Sequence, residues 1–302
     1  MNKPLANWLK AIRPHTLPLA LSAAGMGNIT AAFEDKPDLV IIVFSIITAM
    51  LLQILSNLSN DYGDFKHGVD NSERKGPQRS IQSGDISVEQ MRRAIKLTLL
   101  LSLASGIFLL FYSVRHIGWL AFFIMLAIGI GAIWAAHAYT ASKNPYGYKG
   151  YGDIFVFIFF GLVAVAGTNF LHFGHLKVNV LIPACAVGFC SVGVLNLNNM
   201  RDMENDALSG KITFAVKLGW EKALWYHSII IILAAILFFI YSYMQFSFSW
   251  KLIFSLPLLL LFYHIYDIHS IKSHGELYPM LKKLSLYMLF IIAIFGVSLI
   301  FK

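Results

Sequence analysis

The amino-acid sequence predicts an all-α, polytopic membrane protein. Apolar residues make up 57% of the 302-residue chain, and charged residues make up only 13%, about half of the share that is typical of soluble domains. Several apolar runs are long enough to cross a bilayer as helices. They also lack the alternation of apolar and polar residues that marks the strands of membrane β-barrels. We therefore expect a single integral-membrane domain over residues 1–302.

Nine segments are candidates for membrane-spanning helices. They are residues 15–33, 38–60, 94–114, 117–139, 153–172, 178–200, 223–244, 250–268 and 284–301. The first candidate follows three basic residues, as the apolar part of a signal peptide does. Its apolar stretch is too long for a signal peptide, and no clear small-residue cleavage site follows it. We therefore expect the first candidate to be a helix of the mature protein.

Lysine and arginine are distributed unevenly between the two sides of the predicted membrane domain. Nineteen of them lie on the side of the N-terminus and five on the opposite side. Because cytoplasmic loops carry the excess of basic residues, the N-terminal side is predicted to be cytoplasmic. An odd number of spans then places the C-terminus outside. The net charge of +8 indicates basic cytoplasmic loops and an anionic ligand, and it does not indicate nucleic acid.

Two predicted cytoplasmic loops begin with matching runs of asparagine and aspartate. In each run, the spacing of three or four residues places the polar side chains on one face of a helix. We call the runs the first acidic stripe and the second acidic stripe. Their members are Asn57, Asp61 and Asp64 in the first, and Asn198, Asp202 and Asp206 in the second. Four predicted helices separate the two stripes, so both face the cytoplasm and form an internal repeat.

The two stripes predict a site for Mg²⁺ and a diphosphate. Solvated helix ends are the alternative for a single aspartate, but two matched stripes repel each other unless a cation lies between them. Mg²⁺ prefers oxygen ligands and often binds through one or two carboxylates together with substrate phosphates. The predicted ligands are Asn57, Asp61, Asp64, Asp202 and Asp206. Basic residues nearby suit phosphate oxygens; they are Arg74, Arg79, Arg201 and Lys211.

The loop between the fourth and fifth predicted spans is rich in tyrosine. Tyr139, Tyr146 and Tyr148 could form an aromatic wall that stabilises a carbocation and positions a ring-shaped substrate. An interfacial aromatic belt is the alternative. Lys143 lies in the same loop and, with the tyrosines, is a candidate for holding an acceptor or taking its proton.

Together these features indicate the transfer of a prenyl group inside a membrane. Breaking the allylic carbon–oxygen bond of a prenyl diphosphate leaves a carbocation and a diphosphate. Mg²⁺ and basic side chains would stabilise the diphosphate, and an apolar chamber would protect the carbocation from water. In this interpretation the aspartates hold the leaving group, and an electron-rich aromatic ring attacks the carbocation.

The same motifs resemble those of the UbiA superfamily of intramembrane prenyltransferases, and within it the 1,4-dihydroxy-2-naphthoate polyprenyltransferases of menaquinone synthesis. The resemblance extends from the first predicted helix to the seventh. The segments that carry it are residues 53–64, 68–71, 76–79, 82–84, 145–148, 155–168, 198–202 with Asp206, and 218–219.

The resemblance implies nine helices around a central cavity in the bacterial inner membrane, with an active site that opens to the cytoplasm. It implies Mg²⁺-dependent binding of a polyprenyl diphosphate by both stripes. It further implies prenylation of 1,4-dihydroxy-2-naphthoate with loss of the carboxyl group, which gives demethylmenaquinone. Another aromatic acceptor, of the 4-hydroxybenzoate or homogentisate type, is the alternative. A membrane transporter is a more remote one, because internal repeats also mark transporters.

Overall fold

The computed structural model describes residues 3–70, 78–245 and 255–301, in which every regular element is helical. The all-α prediction is therefore confirmed. The helices are α1 (Lys3–Ile12), α2 (Leu17–Glu34), α3 (Leu39–Lys66), α4 (Val88–Ala138), α5 (Gly152–Phe173), α6 (Leu181–Arg201), α7 (Met203–Leu208), α8 (Phe214–Leu218), α9 (Trp220–Gln245), α10 (Leu259–His269) and α11 (Leu277–Ser298).

Six of the described helices are long and apolar enough to cross a membrane: α3, α4, α5, α6, α9 and α11. They confirm a polytopic membrane protein. The count of nine spans stays a prediction. The first predicted span corresponds to the shorter helix α2, and the start of the eighth, at residues 250–254, lies outside the described residues.

Helix α4 has 51 residues and doubles back on itself. A straight helix of that length would be about 75 Å long, more than twice the thickness of a hydrocarbon core. Gly118 interrupts the helix with a φ of 74° and a ψ of 169°, a conformation that glycine adopts without a steric penalty. Arg92 near its start donates to Tyr62, and His137 near its end contacts Ser59. Both ends therefore lie beside the same end of α3, as the third and fourth predicted spans require.

Helix α6 lies at the centre of the main hydrophobic core, which draws residues from α2, α5, α6, α9, α10 and α11. Its contact with α5 is close. A Cβ atom placed on Gly161 would lie 2.6 Å from the carbonyl oxygen of Ala184 and 2.9 Å from the Cα of Gly188. Residues 157–167 of α5 form a π-helix. Small residues thus let two membrane helices approach through their backbones.

Helix α1 is an element that the predicted spans did not include. Its polar residues face the turn before α4, where Lys10 contacts the Asp85 carboxylate at 3.4 Å and Asn7 donates to the Asp85 carbonyl. Ala11 on another side of the helix is buried. Because α1 has only ten residues, it is too short to span a bilayer, and it covers the end of α3 where the acidic stripes lie.

Candidate active site

The first acidic stripe occupies the last turns of α3, which continues to Lys66, past the predicted end of the span at residue 60. Asp61 and Asp64 are buried, with 1% and 2% of their surface exposed. The guanidinium groups of Arg13 and Arg79 contact Asp61, the latter at 3.1 Å. Asp64 accepts a 2.8 Å hydrogen bond from the Tyr148 hydroxyl. These partners stabilise carboxylates that burial alone would make costly.

The second acidic stripe does not lie on one continuous helix, and that part of the prediction is wrong. Helix α6 ends at Arg201, and Asp202 adopts a φ of −98° and a ψ of 7° before α7 begins. Arg201 donates to both oxygens of Asp202, at 2.9 and 2.5 Å, and to Asn198 Oδ1 at 2.9 Å. Asp206 therefore belongs to the short helix α7, about one turn beyond the end of α6.

Lys211 joins the two stripes. Its Nζ lies 3.3 Å from Asp64 Oδ1 and 3.5 Å from Asp206 Oδ1. Burial would lower the pKa of the ammonium group, but Asp206 and Asp64 outweigh burial and raise the pKa above its usual range. A hydrogen bond also joins α7 to the segment after α3: the side-chain amide of Asn205 donates to the Val69 carbonyl at 2.8 Å. The structure thus brings the two stripes together around one cation.

Two asparagines on α3 have different environments. The amide nitrogen of Asn57 donates to the Ile12 carbonyl and to the Thr16 hydroxyl, at 2.8 and 2.9 Å, and its oxygen accepts from Gln53. We therefore assign Asn57 a role in joining α3 to the N-terminal segment. Asn60 is also buried, but its Oδ1 has no hydrogen-bond partner among the described residues. Since Asn60 precedes Asp64 by four residues, the two share a helix face.

Sequence analysis missed three residues of this site. Asn60 and Asp64 have the same spacing as Asn198 and Asp202, and that match could have revealed Asn60. Arg13, at a φ of 55°, has no pattern around it in the sequence. Asp70 lies in the segment 68–71 that resembles the family, but it was not assigned a role; its buried carboxylate lies 3.8 Å from Arg79 Nε. Arg74, which was predicted to bind phosphate, lies outside the described residues.

The loop that follows α4 places two tyrosines against each other. The rings of Tyr139 and Tyr146 meet edge to face at 5.5 Å, and Tyr146 stacks on Phe155 at 4.1 Å. Burial raises the pKa of all three loop tyrosines; for Tyr148 the Asp64 carboxylate adds to the effect. At neutral pH they are therefore uncharged phenols. Lys143, which was predicted to act with these tyrosines, is exposed and lines neither of the two cavities near the stripes.

A chamber of about 300 Å³ runs between the helices below the stripes. Its walls are mostly apolar and come from α2, α3, α4, α5 and α6, with Tyr139, Tyr146 and Asn60 near its polar end. On α3 the lining residues extend from Ser45 to Asn60, which corresponds to about 22 Å at 1.5 Å per residue.

A second cavity of about 150 Å³ adjoins the chamber. Charged side chains line it, among them Asp61, Arg79 and Arg201. Four residues line both cavities: Arg13, Thr16, Asn198 and Leu281. A charged compartment thus lies directly beside an apolar chamber.

The oxygen atoms at the junction of the stripes suit Mg²⁺. Within the described residues, no three acidic, histidine or cysteine side chains form a complete metal cage. Mg²⁺ does not need such a cage, because it commonly takes one or two carboxylates and completes its shell with phosphate and water. Asp64 and Asp206 already approach one cation, the ammonium group of Lys211, and Asn60 Oδ1 is buried without a partner.

The sequence profile of the UbiA prenyltransferase family matches residues 19–287. The chain belongs to the UbiA prenyltransferase family. The predicted family is thereby confirmed, and two bacterial members are close relatives of this UbiA protein. The 1,4-dihydroxy-2-naphthoate octaprenyltransferase of Haemophilus influenzae is 37% identical over 303 residues, which cover 99% of this chain and 97% of the relative. The enzyme of the same name from Escherichia coli is 38% identical over 255 residues, covering 83% of this chain and 82% of the relative.

Solved structures of the family share the fold of this UbiA chain. A UbiA homolog from Archaeoglobus fulgidus bound to GPP and Mg²⁺ superposes with a TM-score of 0.64 at 18% sequence identity. The superposition covers 96% of this chain and 99% of the homolog. At that identity the likeness shows the fold alone.

Proposed function

We propose that this UbiA protein transfers a polyprenyl chain from a polyprenyl diphosphate to 1,4-dihydroxy-2-naphthoate, with loss of the acceptor's carboxyl group. The product would be demethylmenaquinone, a precursor of menaquinone. The observation that carries the proposal is the junction of the charged cavity with the apolar chamber. This geometry suits a donor with an anionic head and a hydrocarbon tail. The names of the H. influenzae and E. coli relatives support the naphthoate acceptor.

The diphosphate head would bind between the acidic stripes with Mg²⁺. Asp64, Asp206 and Asn60 offer oxygen ligands where the two stripes meet, and Asp61 and Asp202 belong to the same stripes. When bound, Mg²⁺ would neutralise negative charge that develops on the departing diphosphate. Basic side chains around the charged cavity would contact the phosphate oxygens; they are Arg13, Arg79 and Arg201, together with Lys211 and, outside the described residues, Arg74.

The aromatic acceptor would lie where the chamber meets the loop tyrosines. Tyr139 and Tyr146 line the chamber at its polar end. As uncharged phenols they cannot take a proton at neutral pH, so we assign them to positioning the ring and to stabilising the allylic carbocation through their π faces. The apolar walls exclude water from that carbocation. Tyr148 is directed to Asp64, so it positions the carboxylate.

We further propose that residues 1–302 form one domain in the bacterial inner membrane, with the charged cavity open to the cytoplasm. Residues of α2 and α11, near the two ends of the chain, pack in the same core, as Leu19 and Phe295 do. The chamber likewise draws on both, through Leu19 and Leu281. The cytoplasmic orientation is supported by the excess of basic residues on the side that carries the stripes.

The proposed reaction is tested with an acceptor labelled with ¹⁴C at its carboxyl group. Deprotonation of the 1-hydroxyl directs electron density to the neighbouring carbon that bears the carboxylate. That carbon bonds to the allylic carbon as the allylic carbon–oxygen bond breaks. The resulting β-keto acid then loses carbon dioxide and regains the aromatic ring. We expect label to leave as carbon dioxide in step with product formation, and only with both Mg²⁺ and a polyprenyl diphosphate present.

Two results would contradict this assignment. Label retained in the prenylated product would exclude the decarboxylating reaction. Faster turnover of 4-hydroxybenzoate or homogentisate, with the same donor and the same protein, would assign the chain to another branch of the family. Diphosphate release is measured in the same assays. Because it reports use of the prenyl diphosphate donor, it separates an error about the acceptor from an error about the donor.

A further inference from the structure

Among the described residues, Lys211 contacts carboxylates of both acidic stripes. Its Nζ lies within 3.5 Å of carboxylate oxygens from both Asp64 and Asp206. The backbone of Lys211 is fixed, because its N–H donates to the Asp206 carbonyl at 2.8 Å and the next residue, Ile212, donates to the Tyr148 carbonyl at 3.1 Å. The side chain is a flexible stem with a single charged end. It can therefore move without disturbing the chain around it.

Three arginines among the described residues also contact aspartates of the stripes. Arg13 and Arg79 contact Asp61 of the first stripe, and Arg201 contacts Asp202 of the second. Lys211 contacts one carboxylate of each stripe, Asp64 of the first and Asp206 of the second.

These ion pairs bury many charges close together. Among the described residues, the ion pairs of the site join five carboxylates and four cations. The carboxylates belong to Asp61, Asp64, Asp70, Asp202 and Asp206, and the cations to Arg13, Arg79, Arg201 and Lys211. All of these side chains have at most 10% of their surface exposed. An added charge without a partner is costly in such surroundings.

We propose that Lys211 is an internal counter-cation that holds the metal-binding carboxylates until Mg²⁺ and diphosphate arrive together. This inference rests on the proposed function. Mg²⁺ alone would have to displace Lys211 from Asp64 and Asp206 and would leave a buried ammonium group without an anion. When a diphosphate binds as well, its oxygens replace the two carboxylates as partners of the ammonium group. Lys211 thereby makes the binding of Mg²⁺ and that of diphosphate favour each other.

The proposal predicts a coupling between two ligands that one side chain controls. Couplings of this kind commonly change an affinity by a factor of about 5 to 150, and they act equally on both ligands. Lys211→Met removes the ammonium group but keeps most of the length of the side chain. In that variant Mg²⁺ alone no longer competes with a cation, so we expect it to bind about tenfold more tightly than to the wild type.

The test measures thermal unfolding of the full-length protein in detergent during titrations with Mg²⁺ alone, inorganic diphosphate alone and both. The same ligand solutions serve for every variant, so complex formation between Mg²⁺ and diphosphate in solution cancels in the comparison. Lys211→Arg, which keeps the charge, should retain the coupling. Lys217→Met is the matched control, because Lys217 Nζ donates to the Lys149 carbonyl and forms no ion pair with the stripes among the described residues.

A second variant separates the proposal from a simple loss of folding. Lys211→Met leaves two buried carboxylates without their shared cation, so its unfolding midpoint without metal should fall below that of the wild type. Adding Asp206→Asn removes one of those carboxylates, and the midpoint of the double variant should recover toward that of the wild type. No recovery would mean that charge balance is not what Lys211 provides.

The outcomes distinguish the inference from the proposed function. If Mg²⁺ and diphosphate together do not stabilise the wild type, the metal–diphosphate site itself is wrong. If they stabilise the wild type, but Mg²⁺ alone binds Lys211→Met and the wild type equally, only the role of Lys211 is overturned. Tighter binding of Mg²⁺ alone to Lys211→Met, together with a smaller effect of diphosphate on that binding, supports the proposal.

Discussion

The side-chain nitrogen of Asn57 donates a 2.8 Å hydrogen bond to the backbone carbonyl of Ile12, the last residue of α1. The next residue, Arg13, turns the chain with a left-handed backbone and directs its guanidinium group to Asp61. Asn57 therefore acts on the site from a distance, by fixing the place where α1 ends. Asn60, one turn later on α3, has a buried oxygen without a partner.

We expect Asn57→Ala to affect the stability of the protein and Asn60→Ala to affect the binding of Mg²⁺ with diphosphate. Asn57→Ala removes three hydrogen bonds, to Ile12, Thr16 and Gln53, so it should lower the free energy of unfolding by about 1 to 3 kcal/mol. Asn60→Ala should leave the stability of the ligand-free protein nearly unchanged and should weaken the stabilisation by Mg²⁺ with diphosphate. Thermal unfolding with and without these ligands measures both effects. The assignment of the two asparagines is wrong if Asn57→Ala mainly weakens ligand binding.

The aspartates that contact Lys211 should be essential for turnover. Asp64→Asn and Asp206→Asn each replace a carboxylate by an uncharged group of similar size, and we expect the rate of diphosphate release to fall by a factor of about 10² to 10³. We expect comparable losses for Asp61→Asn and Asp202→Asn. Asp85→Asn is the control, since Asp85 is exposed beside α1. Turnover close to that of the wild type in Asp64→Asn or Asp206→Asn would refute the site.

The hydrogen bond from Tyr148 to Asp64 should make stability depend on alkaline pH. Burial and the Asp64 carboxylate raise the pKa of Tyr148 in the folded protein above its value of about 10 in an unfolded chain. The stabilisation by the protonated phenol is therefore fully present below about pH 10 and is lost as the pH rises further. We expect the difference in unfolding midpoint between the wild type and Tyr148→Phe to be constant near neutral pH and to shrink above about pH 10. A difference that does not change with pH would contradict this, and Tyr151→Phe, at an exposed tyrosine, serves as the control.

Two exposed lysines test the predicted orientation. Lys143 and Lys177 are both exposed and lie in loops on opposite sides of the membrane domain. In a background in which Cys185 and Cys190 are alanine, a membrane-impermeant thiol reagent added to intact cells should label Lys177→Cys and not Lys143→Cys. Permeabilised cells provide the control, because both variants should then react. The reverse pattern of labelling would invert the orientation.

The hydropathy of the sequence predicted the positions of the long helices well, but it predicted the residues at which they end less accurately. The second predicted span was placed at residues 38–60, whereas α3 continues to Lys66. Its last turns carry Asp61 and Asp64, which reduce local hydropathy although they are buried against Arg13, Arg79 and Lys211. A polar helix end inside a protein cannot be distinguished from a solvated end unless its partners are known, and those partners come from distant parts of the chain.

The stripes were predictable from spacing, but the connections within the site were not. The acidic stripes stand out because two similar runs follow apolar segments. The position of Lys211 between Asp64 and Asp206 depends on how α3 and α7 pack, and no local pattern encodes that contact. The break at Asp202 was missed for a similar reason. Arg201 pairs with its chain neighbour Asp202. A contact between adjacent residues cannot be predicted from the periodicity of the sequence.

The interruption of α4 at Gly118 has a consequence for how the protein enters the membrane. The two halves of α4 are joined with no loop of their own, so the second half cannot be translocated or oriented independently of the first. The pair should therefore leave the translocon as one helical hairpin, with both ends retained at the same face. Replacing Gly118 by a β-branched residue such as valine would oppose the positive φ of the turn. The resulting defect would appear during biogenesis, as incomplete insertion and degradation, before any effect on the finished enzyme could be measured.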